Sequence, residues 1–473
     1  ALKFVSKKAA NPPLGLLTIA AMLPVTWEKK VVDLNVSPLK DEDLDEVDYV
    51  LISAMSVQAP SADRVIERCQ KRGKKIIAGG PMFTGAPDAY LHLDHLILNE
   101  AEITLPLFLA DLERGEARQI YRSEAFADIS RTPAPDYTLI KASSYAQLSL
   151  QYSRGCPFDC EFCEITSLLG RKVRTKSPQQ IMNELNQIYL TGFKGNIFFV
   201  DDNFIGNRHK LKKELLPAIR SWNEGHDSPF TFTTEASIDM ADYPELMSAM
   251  VAAGFEKVFV GIETVETDSL AECDKKHNLG RDLSTSVKQI QSAGIEVTAG
   301  YIVGFDSDTP GVFQRQINFI QQTGIITAMV GLLNAPNKTR LYHRLKKEGR
   351  LQEGFDGNNC NDEMNFTPKM DKEKLLAGFR SIHQSIYSSK AYYQRLKGFL
   401  KHYQPGVKGS KRVNSEKIKA LLRSVFYLGI LNRGRIYYWK IFIWSLFTRP
   451  RLFPLAITYT IYGYHFRKVY QIR

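Results

Sequence analysis

The chain has 473 residues, 44% hydrophobic and 11% aromatic, which is ordinary globular composition with room for two or three packed domains and excludes a disordered or fibrous chain. Its net charge of +11 is uneven: residues 401–473 hold 15 Lys and Arg against one acid, Glu416, a balance of +14, which leaves 47 basic and 50 acidic residues, −3, for 1–400. A near-neutral body with a strongly basic tail points to an acidic partner surface, either anionic lipid or nucleic acid. Six cysteines, three in one loop with Cys69, Cys273 and Cys360 scattered, exclude a disulfide framework and predict a reducing, cytoplasmic setting. No signal peptide is read, and the chain opens at Ala1 with no methionine.

Residues 1–130 alternate helix-like and strand-like stretches. The run 13–23 reads as a helix with Pro13 near its start, 30–34 as a strand and 48–53 as a buried strand. A helix over 61–72, strands over 75–80 and 95–98, and a helix over 102–112 follow. This alternation predicts an α/β domain with a parallel, doubly wound, Rossmann-like sheet over 1–130, and ligands of such sheets bind at the carboxyl ends of strands. Those ends carry Asp33, Ser53, Gly79, Gly80, Asn99 and Glu100. Glycine there lets a ligand approach the backbone, although a strand ending in Gly-Gly is by itself more often a tight turn. Residues 113–145, with Pro133 and Pro135, form a connection whose linker proper is 131–145.

A second domain is predicted over 146–345. An apolar run at 146–152 leads into Cys156, Cys160 and Cys163, spaced C-x3-C-x2-C. Three thiolates this close on a loop converge on one centre. A closed zinc site takes four ligands, and the next Cys or His downstream is His209. An iron–sulfur cube held by three thiolates instead leaves one iron open to a substrate or cofactor. A chance cluster or a zinc knuckle is the bland alternative.

Ser177-Pro-Gln-Gln180 predicts a helix start, with Ser as N-cap, Pro at the first position and Gln at the third, running to about Leu190. Strands then recur at 196–200, 230–234, 257–261, 296–301 and 326–332 with helical stretches between. Six strand–helix units imply a partial (β/α)6 barrel of TIM type, with catalytic groups at the carboxyl ends of its strands. Asp201 and Asp202 stand at the second such end, Glu235 at the third, Glu263 at the fourth, and Gly300 and Gly304 at the fifth. A single acid there is as often a surface loop residue. Acids at three successive ends can together accept from the ammonium and ribose hydroxyls of a cationic nucleoside.

The cysteine spacing after the first strand of an α/β domain resembles the radical SAM superfamily. The resemblance implies a 4Fe–4S cluster on Cys156, Cys160 and Cys163 that binds S-adenosylmethionine (SAM) and cleaves it to a 5′-deoxyadenosyl radical. It places Phe162 against adenine, Asp201 and Asp202 at the methionine amino group, Glu235 and Glu263 near ribose or amino groups, and Gly300 and Gly304 beside adenine. The second-strand segment departs from the Gly-Gly-Glu of the best-known members. A small doubly wound domain ahead of the barrel resembles the cobalamin-binding radical SAM class, which implies a corrinoid at Ser53, Gly79, Gly80, Asn99 and Glu100. Here the D-x-H-x-x-G segment is absent, since Leu34 and Asn35 follow Asp33, so no histidine from it reaches cobalt; a first sheet strand before Pro12 is missing as well. The strings SRGCPFDCEFC, FFVDDNFIGN, TEAS, VFVGIET and TAGYIVGFD, with a Leu-Tyr-His-Arg-Leu helix at 341–345, resemble the hopanoid C-2 methylase-like group over roughly 10–390. That implies methyl transfer from cobalamin to an unactivated carbon of a lipid or other apolar substrate, with an electron donor such as flavodoxin or ferredoxin.

The region 346–473 is predicted to be helical and basic. Its apolar runs 436–447 and 452–466, flanked by Arg433, Arg435, Arg449, Arg451, Arg467 and Lys468, are shorter than the ~20 residues that span a bilayer and fit segments lying on an anionic membrane. A helical subdomain with a solvated basic face fits equally. No RNA-binding motif accompanies the charge, so nucleic acid is not expected. Two other functions stand beside methylation: radical cyclisation or rearrangement without methyl transfer, and a cluster-containing RNA-binding or RNA-modifying protein.

Overall fold

The computed structural model describes residues 1–352, 357–358, 361–406 and 415–472; Cys360 lies outside them. Four parallel strands form the N-terminal sheet in the order β1 (Tyr49–Ser53), β2 (Lys75–Gly79), β3 (His95–Ile97) and β4 (Ile120–Tyr121). Alternation sends Ile76 and Ile77 to opposite faces. Ile76 joins Ile66 and Cys69 of helix Ala59–Lys71, whereas Ile77 joins Leu105 and Phe108 of helix Ala101–Glu113. Helices therefore cover both faces, as predicted.

Two local expectations fail. Residues 30–34 form no strand: Asp33 accepts the Asn35 N–H at 2.9 Å in a turn, and Val31 and Val36 pack against the barrel core. A strand needs a neighbour to satisfy its backbone. The sheet ends at β1, which is a half-buried edge rather than the buried strand expected. Within the connection 113–145 the chain contributes β4, whose two residues are too short to leave a periodic signal.

The second domain holds β5 (Leu148–Leu150), a ribbon of β6 (Ser153–Arg154) antiparallel to β7 (Arg174–Thr175), then β8 (Gly195–Phe199), β9 (Phe230–Glu235), β10 (Phe255–Glu263), β11 (Glu296–Val303) and β12 (Ala328–Leu332). Six of these, β5-β8-β9-β10-β11-β12, are parallel and adjacent in chain order. Leu148, Ile197, Phe232, Val258 and Val260 are wholly buried, each contributing on the order of 1.5–3 kcal/mol. The helix start at 177 holds: Ser177 and Gln180 exchange backbone and side-chain hydrogen bonds at the head of Pro178–Leu190.

Helices Lys372–Tyr387, Ser389–His402 and Phe453–Val469 extend the barrel wall. The run 452–466 is an internal helix: Ala456, Ile457, Tyr459 and Ile461 are buried, Tyr392 donates to the Tyr459 carbonyl at 2.6 Å, and a side chain at Gly463 would strike the Tyr392 ring. Among the described residues no helix is long and apolar enough to cross a membrane.

Candidate active site

The cysteine loop is held from several directions. Gly155, at φ +93°, precedes Cys156 where a Cβ would meet the Lys172 and Gly170 carbonyls at 2.8 and 2.9 Å, so the turn into the loop admits only glycine. The Cys156 N–H donates to Gly170, the Cys163 N–H to Cys160 and the Glu161 N–H to Cys273. Arg344 grips both oxygens of Glu161 at 2.7 and 3.0 Å and reaches Asp306 at 2.9 Å, tying the loop to the end of β11. Phe162 packs edge-on to Phe305, 6.2 Å between ring centroids.

The three thiols are electrostatic neighbours and form no disulfide. Burial pushes Cys156 up, Cys160 up to about 11 and Cys163 up to about 12, so cluster assembly must release protons. Among the described residues no three Cys, His, Asp or Glu side chains close on a single ion. Three thiols on one loop can supply a cube with one thiolate for each of three irons.

The strand-end acids have divided roles. Asp201 is wholly buried and accepts from the Tyr152 N–H at 3.0 Å, from the Ser153 N–H and from the Ser153 hydroxyl at 2.5 Å; it clamps the backbone leading into the cysteines. Burial pushes it up to about 7 despite these donors. Asp202 leans toward Cys156, its carboxylate receives the Gly155 N–H, and Oδ2 is buried with no partner; burial pushes it up to about 6. Glu235 ends the half-exposed face of β9, and no hydrogen-bond donor reaches it among the described residues. Burial, then the like charges of Asp202, Asp201 and Glu263, push it up to about 7.

Glu263 sits at φ +64°, unusual outside glycine, after a register shift in β10 that Asn278 secures by donating to the Gly261 and Ile262 carbonyls. Its carboxylate accepts from Lys275 Nζ at 2.7 Å. Burial alone would push the Lys275 ammonium down, but Glu263 and the Cys160 thiol outweigh it and hold the pKa above its ordinary value. A side chain at Gly261 would come within 2.8 Å of that ammonium. A Cβ on Gly300 would meet Phe259 at 3.0 Å, and one on Gly304 would meet Met364 and Leu375 at 3.2 and 3.3 Å.

Sequence reasoning missed Lys275, because a lysine in Asp274-Lys275-Lys276 reads as surface charge. The missed signal is its position in the helix-to-helix loop directly behind the fourth strand end. His277 went unnoticed as well; its ring stacks on Phe158 of the cysteine loop at 3.8 Å.

At the N-terminal sheet, Ser53, Gly79 and Gly80 adjoin. A Cβ on Gly79 would meet the Ile97 carbonyl at 2.7 Å and one on Gly80, at φ +90°, the Ser53 hydroxyl at 2.6 Å. The two glycines thus let the β1, β2 and β3 strand ends pack closely together. Asp33 is occupied by Asn35 and by the Tyr145 hydroxyl at 3.0 Å. Asn99, at φ +65°, takes Thr84 Oγ1 with its N–H. Glu100 turns to the barrel: its carboxylate takes Arg154 at 3.0 Å, Arg174 at 2.8 Å and the Ala127 N–H at 2.6 Å, while Glu102 takes Arg154 at 2.7 Å. Arg154 lies two residues before Cys156. The seam thus ties the N-terminal strand ends to the cysteine loop, and Lys338 adds a second tie at 2.8 Å to the Thr84 carbonyl.

Comparison with known proteins agrees with this arrangement. Residues 6–109 match the B12 binding domain, 150–320 the radical SAM superfamily and 339–473 a domain of unknown function (DUF4070). The chain is 40% identical, over its whole length and 89% of the relative, to the uncharacterized methyltransferase sll1242 of Synechocystis sp.. It is 33% identical to the hopanoid C-2 methylase of Rhodopseudomonas palustris, over 91% of this chain and 83% of that one. Its fold matches the cobalamin-dependent SAM radical enzyme OxsB with aqua-cobalamin bound, at TM-score 0.65 and 15% identity over 98% of this chain and 78% of that one. A cysteine triad on one loop, acids at the neighbouring strand ends and an N-terminal sheet wired to that loop are the parts of one machine, and the chain belongs to the cobalamin-dependent radical SAM methyltransferases, in the group of the hopanoid C-2 methylase.

Proposed function

We propose that this enzyme methylates an unactivated carbon of a lipid or other apolar skeleton. When bound, the cluster and SAM supply a carbon-centred radical at 5′-deoxyadenosine, and cobalamin supplies the methyl group. Cys156, Cys160 and Cys163 hold the cluster. Asp202, through its unpartnered Oδ2, and Glu235 accept from the ammonium and hydroxyls of SAM, and Lys275, steadied by Glu263, faces its carboxylate. Asp201 acts one step back by fixing the chain before Cys156. Ser53, Gly79, Gly80 and Asn99 border the corrinoid, and Glu100 fixes that border against the barrel. In domain terms we assign the corrinoid to 1–130, the radical chemistry to 146–345 and substrate access to 346–473.

The observation that carries the reading is the buried, unpaired Asp202 Oδ2 in the electrostatic neighbourhood of Cys156, an acceptor for a cation. The hopanoid C-2 methylase relative supports the substrate class. A one-electron donor such as flavodoxin or ferredoxin is required to reduce the cluster, and peripheral contact with the inner face of the membrane through 430–473 would bring a lipid within reach.

The test is anaerobic purification with iron, sulfide and cobalamin, then incubation with methyl-deuterated SAM, a reductant and lipid extract. The expected result is bound corrinoid, release of 5′-deoxyadenosine and a lipid heavier by one labelled methyl group. Deoxyadenosine without any methylated lipid would overturn the substrate class, and a cluster without corrinoid would overturn the role of the N-terminal domain.

A further inference from the structure

Toward the end of the chain two helices form a hairpin, the first running through Ser415–Ser424 and on as a π-helical segment, Val425–Leu431, the second Arg435–Thr448. The inner face of the first packs Leu421, Val425 and Leu428 against Phe4, Tyr438, Ile457 and Ile461. Its outer face is left exposed by the described residues. Ile418, Leu422, Phe426 and Ile430 stand there at a spacing of four, 49%, 64%, 50% and 54% exposed. In a regular α-helix a spacing of four drifts by ~40° at each step. The wider π-helical turn at 425–431 takes some of that drift back, so the four side chains stay in one line. On the second helix Ile436, Ile443 and Phe447 form a similar stripe at spacings of seven and four.

Isolated exposed apolar residues are ordinary on a protein surface, but two continuous stripes on adjacent helices mark a contact surface. The charge around them selects the partner. Lys417, Lys419, Arg433, Arg435 and Lys440 are exposed along the stripes. The single acid in 401–473, Glu416, is engaged with Lys7 at 3.3 Å. A second copy would bring the same cationic rim against this one, which like-charge repulsion opposes. Nucleic acid would meet the cations but leave Ile418, Leu422 and Ile430 in water. An anionic bilayer accepts both, with apolar side chains in the acyl boundary and cations at the phosphates.

We propose that this hairpin, and not the buried run 452–466, is the surface by which the enzyme docks on anionic membrane. The purpose of the contact rests on the lipid-substrate reading; the contact itself does not.

The experiment is flotation of the full-length holoenzyme with vesicles of phosphatidylcholine, with and without phosphatidylglycerol, at low and high salt. The wild type is expected to float with the anionic vesicles at least about tenfold better than with neutral ones, and to detach at high salt. Leu422→Glu with Phe426→Glu is expected to weaken binding about tenfold or more, since two large apolar side chains no longer leave water. Leu190→Glu, which alters an exposed leucine on the barrel, is expected to leave binding unchanged. Release of 5′-deoxyadenosine from SAM by the double variant should match the wild type, which reports an intact site. The proposal is overturned if the wild type ignores anionic vesicles, if the double variant floats as well as the wild type, or if that variant turns a dimer into a monomer by light scattering. Vesicle binding without lipid methylation would count against the substrate reading alone.

Discussion

Two groups of buried charge are treated in opposite ways. At the seam between the domains, Arg154 and Arg174 meet Glu100 and Glu102 at 2.7–3.0 Å, and Thr132, Gln151 and the Ala127 and Leu169 backbone take further positions on the same side chains. At the mouth of the barrel, Asp202, Glu235 and Glu263 face one another with one buried cation, Lys275, among them. Paired charges in the seam hold Glu102 below the usual carboxylate range against the opposing effect of burial, whereas burial raises Asp202, and burial with repulsion from neighbouring acids raises Glu235. Compensated charge makes architecture. Uncompensated charge awaits a ligand.

The largest expected effect is at the site. Cys156→Ala removes one of three thiolates, and we expect loss of the brown chromophore, of bound iron and of deoxyadenosine formation with little change in fold by circular dichroism. Retained SAM cleavage in that variant would sink the radical assignment.

Arg154→Met attacks the seam, and breaking a buried pair while leaving its carboxylates in place costs on the order of 3 kcal/mol. Chemical denaturation should show that loss, together with faster proteolysis between the N-terminal sheet and the barrel. If Arg154→Met were neutral, the contrast between seam and site would fail.

Glu235→Gln sharpens the comparison with the opposite sign. The folded-state pKa of Glu235 lies above its unfolded value, at about 7 against 4.5, so the folded protein binds the extra proton between those values and loses stability as pH rises through the window. In the apo protein Glu235→Gln is therefore expected to stabilise by about 1–3 kcal/mol at pH 8, an advantage that vanishes below about pH 4.5. The same substitution should weaken SAM binding, measured by calorimetry on the cluster-loaded enzyme.

The smallest effect belongs to Thr132→Val, which deletes the 2.9 Å bond to Glu102 and should cost about 1 kcal/mol by thermal denaturation, with no change in SAM binding.

Much of the site was legible because its signals are local. The cysteine spacing, the strands ahead of Asp201, Glu235 and Glu263, and the Ser177 cap each depend on residues within a turn or a strand of one another. The strand at 30–34 was misread because β-propensity cannot report whether a neighbouring strand exists. The run 452–466 was left open between two readings because an apolar helix looks the same in sequence whether it lies on a membrane or under another helix, and only the Tyr392 and Tyr387 side chains packed on it decide.

By itself the amino-acid order determined the metal-binding chemistry, the six-stranded barrel and the placement of acids at strand ends, since ligand number and side-chain period are properties of short segments. Tertiary structure alone decided which charges are matched. It turned Asp201 into a backbone clamp, Glu100 into a strut between domains and Lys275 into the cation beside the cysteines. Each of these roles is set by a partner 12 to 74 residues distant in the chain, and the strength of a buried charge depends on the groups folding brings against it.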